Sequence, residues 1–123
     1  MLQLQYQGGN TAGPTIQFVV SDLLGDNDPE LIALQVAPDV AGVQAVDVID
    51  ESGAIVAHLM LGAGGQVSRS FDPPGLEAWS GPDAQGTATE SIVGFEDAQW
   101  RIVQLKHVPG SAVPRYPNGD GFV

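Results

Sequence analysis

Apolar and polar residues alternate with a period of two along most of this chain. In LQLQYQ, residues 2–7, Leu2, Leu4 and Tyr6 share one side of an extended backbone and Gln3, Gln5 and Gln7 the other, the pattern of a half-buried strand. GGNTAGP follows as a loop. TIQFVVSD places Ile16, Phe18 and Val20 on one face. VQAVDVID and AIVAHLML, joined by ESG, give the strongest hairpin signal, because Gly53 can take the positive φ of a bulged turn. In the second run Ile55, Ala57, Leu59 and Leu61 oppose Ala54, Val56, His58 and Met60. Both faces are mostly apolar, which predicts a central strand covered on both sides, or one that meets a partner. QVSRSF and SIVGF read as short strands and WRIVQLKHV as a strong final one. The predicted core holds Phe18, Val46, Val48, Ile55, Leu59 and Val103.

Two segments read less simply. DNDPELIALQVAP carries a helix start, with Asp28 as cap and Pro29 at the first position, yet LIALQV also fits a strand, and the strand is preferred. DPPGLEAWSGPDAQGTATE is rich in Pro and Gly and reads as loop. Short strands with Gly and Pro turns predict an all-β fold, an antiparallel β-sandwich or small barrel. The expected organisation is a single β domain at 1–108 and an extended C-terminal arm at 109–123.

Composition narrows the function classes. A chain of 123 residues fits one domain and buries roughly 60–70% of its unfolded surface, so it needs no metal or disulfide staple. It has no Cys, which excludes thiol chemistry. The net charge is −11, and all four bases lie in the last 55 residues, while the first 68 hold eight acids and no base. Nucleic acid and anionic membrane are excluded as partners by that field, which a basic protein surface would complement. MLQLQYQGGN lacks the basic and apolar regions of a secretory signal peptide. With the initial Met it suggests a whole gene product made in a cytoplasm. The apolar runs are too short to span a bilayer.

Candidate chemistry is sparse, and no cofactor is implied. Asp22, Asp26, Asn27, Asp28 and Glu30 supply hard oxygens of the kind Ca²⁺ takes, but Gly25 precedes the alternating acids, so the EF-hand pattern fails. The simpler reading is a turn with solvated acids. His58 and His107 have no nucleophile elbow and no zinc spacing around them. Glu77 with Glu90, or Glu96 with Asp97, are the carboxylate pairs a glycosidase would need. LGAGGQ lacks the Lys of a phosphate loop. Trp79 beside Glu77 is the candidate sugar platform, against core packing as the ordinary use of Trp. No catalytic residues are assigned.

The tail PGSAVPRYPNGDGFV has no helical or strand period. Arg115 and Tyr116 sit between prolines, and Phe122 lies near the end. With Arg101 and Lys106 of the last strand they form the candidate interface, because Arg and Tyr favour interface hot spots. The arm either docks on a neighbouring subunit or folds back on its own domain. A small, acidic, cysteine-free β domain with such an arm resembles the accessory virion proteins of tailed bacteriophages, especially the capsid decoration or cement proteins. The resemblance covers size, β pattern and arm, with no specific motif, so no residue roles transfer. It implies a non-enzymatic protein, located in the virion, that bridges and stabilises neighbouring shell subunits. The partner would be the major capsid or another virion protein, with self-association into a homo-oligomer also compatible. The rival reading is a ligand-binding β-sandwich module for carbohydrate or a cell surface.

Overall fold

Among the described residues, eight strands follow one another as two successive antiparallel meanders. The computed structural model describes residues 15–37 and 40–122, so the strand expected at 2–7 lies outside the described residues. The first sheet has the order β1 (Thr15–Ser21), β2 (Glu30–Ala37), β3 (Val40–Ile49), β4 (Ile55–Met60). The second has β5 (Gln66–Phe71), β6 (Pro74–Trp79), β7 (Thr87–Glu96), β8 (Gln99–Pro109). The two sheets pack as a β-sandwich around Ile32, Leu34, Val43, Val46 and Val48 from one side and Val67, Leu76, Ala78 and Val93 from the other. Leu23 and Leu61 close the cluster from the connections. The ambiguous LIALQV segment is strand β2, where Ile32 and Leu34 alternate into the core and both edges are hydrogen-bonded by neighbours.

Three expectations need correction. First, β6 lies inside the stretch read as loop: GLEAW is a strand that Pro73–Pro74 and Gly81–Pro82 disguise, and β7 extends SIVGF in both directions. Second, β4 is the edge strand of the first sheet, not a covered central one. Third, the core set is partly misassigned. Val46 and Val48 are buried, and Leu59 and Val103 are half-buried. Phe18 and Ile55, however, are 48% and 55% exposed. Val19 is the β1 residue that packs on the core, so its neighbours Phe18 and Val20 point outward. In β4 a register shift between Val48 and Ile49 sets Ala57 and Leu59 inside, opposite Val48 and Val46, and leaves Ile55 outside.

The turns explain part of the acidity. Asp50 Oδ1 accepts hydrogen bonds from the amides of Ser52 and Ala54 and from the Ser52 hydroxyl, fixing the β3–β4 hairpin, with Gly53 at φ 87° as expected. Asp83 accepts from Gln85 and Thr87 in the β6–β7 turn. Such carboxylates replace backbone partners that a tight turn cannot provide.

The meanders are joined by LGAGG, residues 61–65. Leu61 donates to Gln44 O at 2.8 Å, Val43 donates to Gly65 O at 2.8 Å, and Gly81 donates to Leu61 O at 3.0 Å. A Cβ on Gly65 would overlap the Val43 carbonyl and the Leu61 side chain, and one on Gly81 would overlap the Ala63 carbonyl. The glycines of LGAGG therefore let the crossover lie directly on both sheets.

The arm folds back on its own domain. After a 3₁₀ turn at Gly110–Ala112, the Tyr116 amide donates to Gln66 Oε1 at 2.8 Å and the Tyr116 ring packs on Trp79, centroids 6.2 Å apart. A second turn, Pro117–Gly119, lies against β3. Asp120 then pairs parallel with Val67, Gly121 donates to Val67 O at 2.9 Å, and Phe122 packs against the core. The arm thus touches both sheets.

Two stability predictions follow from these contacts. Gly81→Ala should cost about 3 kcal/mol in urea unfolding, because backbone must move. Gly86→Ala, with open space around its φ of 78°, should cost only about 1 kcal/mol. Equal costs would mean that the joint is not tight. Deleting residues 110–123 should cost about 2–4 kcal/mol through lost Phe122 and Tyr116 packing, and an unchanged melting temperature would contradict the docked arm.

Candidate functional site

The outward face of the first sheet is built from three rows of residues in register. Val20, Leu31, Ile49 and Ile55 form the first, Phe18, Ala33, Asp47 and His58 the second, and Ile16, Gln35, Ala45 and Met60 the third. Strand alternation puts them on one side because every cross-strand pair shares a face. Nine of these twelve positions are apolar. The exposure is concentrated on the edge strands: Phe18 at 48%, Val20 at 67%, Ile55 at 55% and Met60 at 70%. Between those edges Ala33, Ala45, Asp47 and Ile49 are buried, so the exposed apolar side chains form two edge patches, on β1 and on β4, of the kind that marks an interaction surface.

Its single charged residue, Asp47, is buried and engages Nδ1 of His58 across the β3–β4 hairpin. A carboxylate that orients an imidazole is two-thirds of a hydrolytic triad. The remaining residues of the three rows are Val, Ile, Leu, Phe, Ala, Gln and Met, with no hydroxyl or thiol to serve as nucleophile. The contact instead gives the buried Asp47 carboxylate a polar partner on the neighbouring strand. A hairpin register drawn through ESG with one bulge was the available signal for this pairing.

The other candidate groups fall elsewhere. Asp22 accepts from the amides of Asp26 and Asn27, and Asp26 accepts from the amide of Asp28. Glu30 is buried and accepts from the amide of Leu23 at 3.1 Å. These acids serve the turn, and among the described residues no group of three or more His, Cys, Asp or Glu converges as a metal site. Trp79 is only 7% exposed beneath Tyr116, which corrects the sugar-platform reading: no ring face is left for a pyranose to stack on. Glu77 and Glu90 do meet, but they share a hydrogen bond, with Lys106 Nζ 3.5 Å from Glu90. Glycosidase carboxyls stand about 5 Å or more apart to admit the sugar carbon, so this pair has no room for it. Arg101 reaches Asp97 at 3.2 Å and Glu96 at 4.0 Å on the surface. His107 sits by the Thr89 hydroxyl. Arg115 is exposed, while Tyr116 and Phe122 are engaged with their own domain.

No family model, curated protein or solved structure matches this chain.

Two carboxyls titrate abnormally. Burial first, then the neighbouring charges of Asp26, Asp22 and Asp28, push Glu30 from its ordinary 4.5 up to about 7. Burial, then the hydrogen bond to Glu90 and its charge, push Glu77 up to about 7. The folded chain therefore holds these protons more tightly than the unfolded one. Their contribution is complete below about pH 4.5 and is lost as pH rises toward 7. Asp50 runs the other way: the Ser52 hydroxyl holds it below its ordinary value, so that contribution falls away in acid. Stability should peak near pH 5 and decline by pH 8. Glu77→Gln should raise stability at pH 8 by about 1 kcal/mol, an amount limited by solvent screening, and should leave pH 4 unchanged. A urea midpoint that keeps rising through pH 8 would contradict this.

Proposed function

We propose that this chain is a non-enzymatic structural protein of a viral particle, a capsid decoration protein that stabilises neighbouring shell subunits by docking through the outward face of β1–β4. The observation that carries the reading is the exposure of Phe18 and Val20 on β1 and of Ile55 and Met60 on β4, the two edges of the first sheet. Burying such side chains is worth roughly 1.5–3 kcal/mol each, which gives the monomer reason to associate. The acidic body remains soluble until it meets its site. A preformed sandwich with its arm already clasped pays little ordering entropy on docking. Carbohydrate recognition loses its main support with Trp79 covered, and His58 has an orienting carboxylate but no hydroxyl or thiol in the three described rows around it.

The test is the protein inventory of density-gradient-purified virus particles from the organism that carries the gene. The chain should be present in proportion to the shell protein, and particles lacking it should break at lower temperature. Absence from intact particles would reject the virion role.

A further inference from the structure

The arm closes one side of the sandwich, where Asp120 pairs with Val67 of β5 and Phe122 packs against the core. On the opposite side β4 and β8 are the last strands of their sheets, and they face each other across the sandwich. There the core runs out to solvent. Ile102 pairs with Val93, and Leu105 pairs with Ser91, which pairs in turn with Ala78. Cross-strand partners share a face, and Val93 and Ala78 belong to the core, so Ile102 and Leu105 lie on the core side of the second sheet. Even so they are 44% and 52% exposed. Phe95, opposite the core-packed Trp100, is 52% exposed as well. Across from them, Ala57 and Leu59 of β4 are only half-buried.

β8 is also open to strand addition. Over its 11 residues its one paired neighbour among the described residues is β7. Only Trp100, Val103 and Val108 are half-buried, and the rest of the strand is exposed. A long edge strand with exposed apolar side chains is a template for another strand.

Charge selects that strand. QWRIVQLKHVP contains no Asp or Glu, so along this edge a chain of net charge −11 meets a second copy without opposed carboxylates. Glu96 and Asp97 stand at the turn into β8, and Lys106 and His107 near its far end. A two-fold axis perpendicular to the strand sets two copies of β8 antiparallel, which brings the acidic end of each beside the basic end of the other. Arg101 already reaches Asp97 and Glu96, and Lys106 lies 3.5 Å from Glu90, yet the side chains of Asp97, Glu96 and Lys106 remain 76%, 59% and 56% exposed. Each has room for a second partner, and exposed pairs of this kind exchange at little cost.

We infer that the β4–β8 side of the sandwich is an interface between two copies of this chain, with β8 running antiparallel to β8 of the second copy. Ile102 and Leu105 of the two copies cover one another and close the open side of both cores, and the charged ends set the orientation. The dimer forms along β8 whether or not the chain docks on a viral shell.

Sedimentation velocity of the full chain from about 1 to about 200 µM should show monomer passing into dimer, with a dissociation constant on the order of micromolar. Ile102→Lys with Leu105→Lys, both at exposed positions, should weaken the dimer at least about tenfold and leave the circular dichroism of the monomer unchanged. Phe18→Ser with Val20→Ser, on the far edge of the first sheet, should leave the dimer intact. In hydrogen exchange the amides of β8 should gain protection as concentration rises through the dissociation constant, and those of β1 should not, a readout that needs no variant. A chain that stays monomeric at every concentration would overturn the inference. So would a dimer that the two lysines leave intact, one that the β1 changes abolish, or one whose β8 amides gain no protection.

Discussion

Everything in this fold depends on how closely the 61–65 crossover approaches the two sheets it joins. Each meander alone would be a four-stranded sheet whose core face had no cover. The crossover is hydrogen-bonded to β3 through Val43 and Gln44 and to residue 81 beyond β6. Those bonds require backbone against backbone, which Gly65 and Gly81 permit and any Cβ would prevent. With the sheets so placed, Ile32, Leu34, Val46 and Val48 meet Val67, Leu76 and Val93, and burial of those side chains stabilises the whole. The arm adds to this joint from outside, pairing with β5 and resting on β3.

The joint leaves apolar side chains exposed on both sheets, with Phe18, Val20, Ile55 and Met60 on the first and Phe71, Phe95, Ile102 and Leu105 on the second. On the first sheet the edge strands β1 and β4 carry that exposure, with the Asp47–His58 pair between them. The outer side of the second sheet is different: Tyr116 covers Trp79, and the Glu77, Glu90 and Lys106 groups satisfy one another. The arm thus covers part of the second sheet, while apolar residues at the edges of both sheets stay exposed.

The period-two runs made the strands legible, and the ESG turn fixed a hairpin whose Asp50 and Gly53 act as their residue types suggest. What sequence could not resolve was which face of a doubly apolar strand turns inward. Phe18 and Val19 are neighbours of similar hydrophobicity, and only the position of the second sheet decides between them. That same ambiguity in AIVAHLML was the visible trace of the candidate site. β6 was hidden because Pro and Gly at its ends outweigh five strand residues in any local reading. The arm's docking depends on Gln66 and Tyr116, 50 positions apart, and no local pattern encodes such a contact. LGAGG was legible as glycine-rich, but close approach to a distant backbone is a tertiary fact.

Native-state hydrogen exchange tests the central claim most directly, because it asks whether the two sheets open together. If the glycine joint and the arm bind them into one unit, the slowest amides of β2 and β3 and those of β6 and β7 will exchange with the same opening free energy, equal to that of global unfolding. If the first sheet's amides exchange through a separate opening of lower free energy, the joint does not couple the sheets, and the outward face of β1–β4 is not a rigid docking surface.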